Sequence, residues 1–268
     1  MLAETRATIL AGGTDVFPSL GERPLSGPVL DLSGIAEIAG IRFTDRYIEF
    51  GGRTTWTDIV KANLPRGFDG LKAAAREVGS VQIQNQATIA GNICNASPAA
   101  DGVAALIALD AHVTLESRRG PRTLPLTEFV LGNRKTSRWP DELLTSVRIP
   151  RRLENSFSTF LKLGARRYLV ISIVMVAATL RTNARGIVEE ALLCVGSCSA
   201  KALRLTELED SLIGKPLNAN LRNAVKTSHF SDLSPIDDVR ATAAYRREAA
   251  VTLVQRALDT CAQKALTA

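Results

Sequence analysis

The chain of 268 residues carries four cysteines and two histidines, and both scarcities narrow its chemistry. Cys94, Cys194, Cys198 and Cys261 are too scattered for a disulfide framework, and no C-x-x-C pair supplies zinc or iron–sulfur ligands. Cys194 and Cys198 are expected to pack in a core. His112 and His229 sit in no recognisable catalytic string, so a general base has no evident source. Long apolar runs are missing too. The longest, Tyr168–Leu180, contains Ser172 and Thr179 and falls short of the roughly 20 residues a membrane span requires; it reads as a buried strand. Residues 1–8 show neither a signal-peptide apolar core nor a twin-arginine pair, which makes the cytoplasm the expected compartment. The strings G-x-G-x-x-G and G-x-x-x-x-G-K-[ST] are both absent, so a nucleotide, if bound, is held in another way.

What is present favours a globular protein of about two domains, since 46% of the residues are hydrophobic and length alone sets that prior. The net charge of +6 comes from arginines spread along the chain, with no basic run interleaved with aromatics, and nucleic acid is not an expected partner. V-L-D-L (29–32) and Y-I-E-F (47–50) alternate as half-buried strands do. Residues 54–78 read as helical, with Thr57 or Asp58 as a cap and Leu71, Ala74, Ala75 and Val78 on one face. Short strands and turns fill 110–150. P-R-R-L-E-N-S (150–156) looks like a charged, exposed connector between domains. Beyond it the pattern predicts strands near 157–163, 171–180 and 190–195, a helix at 206–212 and a long helix at 241–266, whose stripe Val251, Val254, Leu258, Cys261 and Ala265 is core. No internal repeat or low-complexity segment occurs.

Two glycine-bearing stretches stand out. In I-L-A-G-G-T-D-V (9–16) a small strand runs into paired glycines and then Thr14-Asp15, both good caps for a short helix to Leu20. In T-I-A-G-N-I-C-N-A-S-P-A-A-D (88–101) the expectation is a strand at Thr88-Ile89, a tight turn through Gly91 and Asn92, and a helix capped by Ser97 with Pro98 in its first turn. That helix would bury Val103, Leu106 and Ile107 on one face and hold Asp101 near its positive end. Two such turns can clamp one diphosphate.

A-G-G-T-D and T-I-A-G-N-I-C-N-A-S-P-A-A-D, together with D-E-L-L-T-S-V-R-I-P (141–150), F-L-K-L-G-A-R-R (160–167) and P-I-D-D-V-R-A-T-A-A-Y-R-R (235–247), resemble the FAD-binding medium subunit of molybdenum hydroxylases, the family of xanthine dehydrogenase and aerobic carbon monoxide dehydrogenase. The matches run in order over nearly the whole chain. The resemblance implies an α+β fold: a two-lobed FAD-binding domain of the vanillyl-alcohol-oxidase-like type over 1–152, with lobes at about 1–50 and 51–152, followed by a C-terminal domain over 153–268 with a small antiparallel sheet packed on helices. It implies an oxidoreductase subunit that passes electrons from iron–sulfur clusters through FAD to an external acceptor. The molybdenum cofactor and the clusters would belong to a large and a small partner subunit. By the same resemblance Ile9, Leu10, Ala11, Gly12, Gly13, Thr14, Asp15 and Val16 form one diphosphate loop, and Thr88, Ile89, Ala90, Gly91 and Asn92 the other, with Ser97 beginning the helix behind it. Backbone N–H groups of Gly12, Gly13 and Gly91 would do most of the binding. Thr88 would offer a hydroxyl to phosphate, and Asp101 a carboxylate to FAD hydroxyls. Leu144 and Lys162 match positions lining the flavin, and Lys162 would stabilise charge on the reduced ring.

Three departures qualify this picture. The chain starts almost on top of its first glycine loop; Ala90 replaces a usual glycine, which demands a negative φ there; and Y-L-V-I-S (168–172) lacks the aspartate of relatives that reduce NAD, which argues against that acceptor. The inserted cysteine-rich segment of the benzoyl-CoA reductase branch is also missing. A self-contained flavin oxidase or reductase of the same fold and a scaffold that has lost FAD remain as alternatives.

Overall fold

Period-two burial and helix capping set the elements of this α+β chain, for which a computed structural model describes residues 2, 4, 5 and 7–267; Met1 and Ala268, the outer ends of the two expected domains, lie outside them, as do Ala3 and Arg6. Among the described residues strand β1 (Thr8–Leu10) pairs in parallel only with β2 (Val29–Asp31), and the short helix α1 (Val16–Leu20) lies between them in sequence. Helix α1 starts later than the expected Thr14, and Asp15 stands at its cap position without a side-chain bond.

The next strands, β3 (Ile41–Phe43) and β4 (Tyr47–Gly51), join a larger sheet, and the chain then turns helical. Helix α2 (Trp56–Lys61) is capped by Thr55, not by Thr57 or Asp58. The Thr55 hydroxyl accepts from the Asp58 N–H, and the Asp58 carboxylate accepts from the Thr55 N–H, so each residue satisfies the other's free donor. Helix α3 (Asp69–Glu77) buries Leu71, Ala74 and Ala75 as its spacing requires. Three short helices follow: α4 (Val81–Gln84), α5 (Ile89–Asn95) and α6 (Asp101–Ile107). All seven residues of α6 are buried, so it is a core helix on every side and not amphipathic.

Strands β5 (His112–Ser117) and β6 (Gly120–Pro125), the single-turn helix α7 (Leu126–Phe129), the hairpin β7 (Val130–Gly132) and β8 (Lys135–Thr136), and the long β9 (Leu143–Pro150) complete the first part. The main sheet is antiparallel in the order β3-β4-β9-β5-β6. The second sheet runs β10 (Phe157–Leu163), β11 (Val174–Thr182), β12 (Val188–Gly196) and β13 (Leu203–Arg204), again antiparallel. Helices α8 (Thr206–Leu212) and α9 (Ala243–Leu266) follow.

Alternation along the second sheet joins the two parts. Phe160, Met175, Ala177, Leu192 and Cys194 point into the core built around α3, α5, α6 and β9, while Val174, Val176, Ala178, Leu193 and Val195 point into the core under α8 and α9. Cys194 and Cys198 are fully buried, as composition suggests, and all four thiols are free. The connector differs from expectation. Leu153 and Ser156 are buried, the Glu154 carbonyl accepts from the Gly67 N–H, and Arg152 bridges Asp110 at 2.7 Å and Glu190 at 2.8 Å. Those two carboxylates belong to different parts of the chain, so 150–156 is a clamp and not a free linker. At the far end Arg246, 3% exposed, donates to Ile173 O and to the Asp238 carboxylate. Backbone donors from Arg240 and Ala241, with the Arg246 and Arg240 side chains, hold Asp238 down at about 2. That turn fixes where α9 begins.

Candidate functional site

The two glycine stretches meet at one cleft of about 640 Å³, a size within the range of small-molecule sites. Ile9, Ala11, Gly12, Gly13, Thr14, Asp15 and Val16 line it from one stretch, Thr88, Ala90, Gly91 and Asn92 from the other, and Leu144 from β9. The first stretch is shaped by two glycine requirements. A Cβ on Gly12 would lie 1.8 Å from the Gln86 carbonyl oxygen, so the turn can rest on residues 86–87 only without a side chain there. Gly13 has φ +70°, a region that costs other residues about 1–2 kcal/mol. The N–H groups of Gly12, Gly13, Thr14 and Asp15 have no hydrogen-bond partner among the described residues. Unspent backbone donors on a glycine turn form a cradle for an anion.

The second stretch is built differently from the sequence expectation. Thr88 is the N-cap of α5 rather than a strand residue, and the helix begins at Ile89 without a preceding tight turn. Its first donors are already engaged: Ile89 N–H with Thr54 O at 2.9 Å, Ala90 N–H with Gly52 O at 3.1 Å, and Gly91 N–H with the Thr88 hydroxyl oxygen at 3.1 Å. Gly91 therefore gives the cleft space and no N–H. Thr88 accepts at its oxygen, which leaves its O–H hydrogen available to a ligand. Ala90 sits at helical φ, as the substitution for glycine requires.

Five expected residues stand off the cleft wall. Ile89 is a core residue, and Leu10 is half-buried away from the cleft wall. Ser97 caps no helix: its hydroxyl accepts from Ala99 N–H inside a loop, and α6 starts at Asp101 after Ala100. Asp101 and Lys162 form a buried pair at 2.6 Å, and the other Asp101 oxygen accepts from Ser172 at 2.7 Å. Burial pushes the Asp101 carboxyl up, against the pull of Lys162 and Ser172. These groups are committed to one another, with Lys162 also donating to Glu77 O at 3.3 Å.

Lys162 lines a second hollow of about 430 Å³ with Glu77, Arg166 and Arg167. The loop beyond it, where a buried strand was expected from Tyr168, carries Tyr168 and Leu169 at 63% and 57% exposure, and β11 starts only at Val174. The apolar surface at Leu169 is as the sequence implies. Glu77, at the end of α3, nevertheless brings a carboxylate to that hollow, and its distance in sequence hid it.

Sequence reasoning missed several cleft residues: Cys94, Asn95, Arg134, Thr136, Arg138 and Leu143. Burial raises the Cys94 thiol to about 11, so it lines the cleft as a neutral group. Cys94 and Asn95 were legible as the outer turn of a helix running from Thr88, had that cap been recognised. The hairpin residues carry no local signal. Neither histidine lines the cleft.

Comparison with known proteins identifies the family. Residues 1–152 match the family described as FAD binding domain in molybdopterin dehydrogenase, and residues 159–261 match the CO dehydrogenase flavoprotein C-terminal domain. Nicotinate dehydrogenase FAD-subunit of Eubacterium barkeri is 33% identical over 245 residues, covering 90% of this chain and 83% of that protein. Xanthine dehydrogenase FAD-binding subunit of Escherichia coli O157:H7 is 30% identical, covering 95% and 88%. Among solved structures, carbon monoxide dehydrogenase from Hydrogenophaga pseudoflava lacking the Mo-pyranopterin moiety superimposes with a TM-score of 0.85 at 26% identity, over 97% of this chain and 91% of that one. A cleft walled by two glycine stretches, on a chain matched nearly end to end by flavoprotein subunits, makes this protein a member of the molybdopterin dehydrogenase FAD-binding family, an oxidoreductase subunit whose cofactor is FAD.

Proposed function

We propose that the chain is the electron-transfer subunit of a heteromeric molybdenum hydroxylase, connecting an iron–sulfur small subunit to an external acceptor while a molybdenum-cofactor large subunit oxidises the substrate. The observation that carries this reading is the turn at Gly12–Asp15, whose unspent N–H groups and forced lack of side chain fit a diphosphate. FAD supplies the redox chemistry when bound, since it holds two electrons and can release them singly or as a pair. This chain's residues bind and orient it. Gly12, Gly13, Thr14 and Asp15 present backbone donors, Thr88 donates its hydroxyl hydrogen, and Leu144 gives the ring an apolar surface. The buried Asp101–Lys162–Ser172 cluster joins α6 to β10 and to the segment before β11, away from the cleft wall. Nicotinate dehydrogenase and xanthine dehydrogenase subunits among the relatives support the assembly. Four free thiols fit action in a reducing cytoplasm.

The test is co-expression with the neighbouring genes. The chain should copurify yellow, release FAD on denaturation, and elute with a molybdenum subunit and an iron–sulfur subunit. Alone and metal-free it should show no substrate-dependent bleaching of flavin absorbance. Turnover of a reducing substrate by the isolated chain would replace this reading with that of a self-contained oxidase.

A further inference from the structure

With the donors of α5 spent on Thr54, Gly52 and Thr88, the cleft needs another source of positive charge. Among the described residues two cations line it, Arg134 and Arg138. Arg138 is anchored: one guanidinium nitrogen donates to Glu142 O at 2.7 Å and to Trp139 O at 3.2 Å. Arg134 is placed differently. It occupies the turn between β7 and β8 at φ +57°, where glycine or asparagine is the usual occupant, and its N–H donates to Ala96 O at 2.9 Å, tying the hairpin to the end of α5. Its guanidinium is steered by a hydrogen bond to the Asn95 side chain, and that contact leaves most of its donors free. A left-handed backbone at a non-glycine residue is strained and persists where surrounding contacts enforce it.

We propose that Arg134, aimed by Asn95, is the counter-charge of the cleft and binds the diphosphate of the dinucleotide. A planar guanidinium offers paired donors that suit phosphate oxygens, which an amide-only cradle lacks. Asp15, also on the cleft wall, adds a negative charge beside a diphosphate, and with Arg138 held by the Trp139 and Glu142 carbonyls, Arg134 is the cation with donors to spare. The inference rests on the reading that the cleft takes FAD through the first glycine turn.

The experiment titrates the deflavinated full-length chain with FAD, with ADP and with riboflavin at two salt concentrations, comparing wild type, Arg134→Ala, Arg134→Lys and Asn95→Ala. Arg134→Ala should weaken FAD and ADP about 10-fold to 100-fold, the loss expected for a hydrogen bond to a charged group. It should flatten their salt dependence and leave riboflavin, which has no phosphate, unchanged. Arg134→Lys should recover part of the loss, and Asn95→Ala should cost less than Arg134→Ala. Wild-type affinity and salt dependence for FAD and ADP in Arg134→Ala would overturn the assignment. Equal losses for riboflavin and FAD would overturn it as well, by making Arg134 a residue of the fold. If wild type takes neither FAD nor ADP, the diphosphate reading of the glycine turn fails first and this inference goes with it.

Discussion

Residues 12–15 follow a two-stranded sheet with N–H groups that have no partner among the described residues, whereas residues 89–92 begin a helix inside the main core with their N–H groups taken. Both line one cleft, and both contain glycine. In the first stretch glycine serves the ligand and the backbone at once: Gly12 permits contact with residues 86–87 and Gly13 supplies a left-handed turn. In the second, Gly91 has helical φ, and a Cβ there would meet only the Thr88 hydroxyl at 3.0 Å. Similar motifs therefore do unequal amounts of binding, because a donor already satisfied by protein gives a ligand nothing.

Substitutions can break this contrast, beginning with the largest effect. Gly12→Val places carbon onto the Gln86 carbonyl, where backbone cannot step aside, and should lower FAD affinity by at least about 100-fold, read as the flavin-to-protein ratio after gel filtration. Gly13→Ala keeps the volume small but sets a Cβ at φ +70°, 2.5 Å from the Phe17 ring; a cost of about 1–2 kcal/mol should appear as roughly 10-fold weaker FAD binding. Thr88→Val removes the α5 cap and should cost about 1 kcal/mol of apo-chain stability, a fall in Tm of roughly 2–4 °C, with Thr88→Ser restoring it. Gly91→Ala should change apo-chain stability by less than about 0.5 kcal/mol, since alanine's helical preference offsets its contact with the hydroxyl. A larger Tm loss for Gly91→Ala than for Gly13→Ala would reverse the comparison.

The same contrast explains what could be read in advance. Strand β10 and helix α8 are legible to the residue because period two and period 3.6 dominate where one face is buried. The first glycine loop is legible because positive φ and close approach both select glycine. The second departs from its pattern from the start: T-I before A-G reads as strand, yet Thr at a cap with small residues after it is a helix start, and the expected turn at Gly91-Asn92 and cap at Ser97 fail with it. Arg134, Arg138 and Glu77 were invisible for another reason. They reach their hollows from turns and helix ends far along the chain, and no local periodicity encodes a meeting across 39 to 85 residues, such as Arg134 with Asn95 or Lys162 with Glu77. The Asp101–Lys162 pair shows a further limit, since the resemblance implies a separate FAD contact for each residue, Asp101 with hydroxyls and Lys162 with the ring, and their attraction to each other cannot be seen from either motif.

The sheet β10–β12 also bears on how the chain can be divided. Its side chains Phe160, Met175, Leu192 and Cys194 complete the first core while their neighbours complete the second. A protein cut at 150–156 would leave two fragments, each showing water an apolar wall shaped for the other. Such fragments resemble subunits of an obligate dimer more than independent modules. Heat should then melt the intact chain in one cooperative step, and recombination that exchanges the C-terminal part between relatives must carry along the α3 and α6 surfaces it packs against.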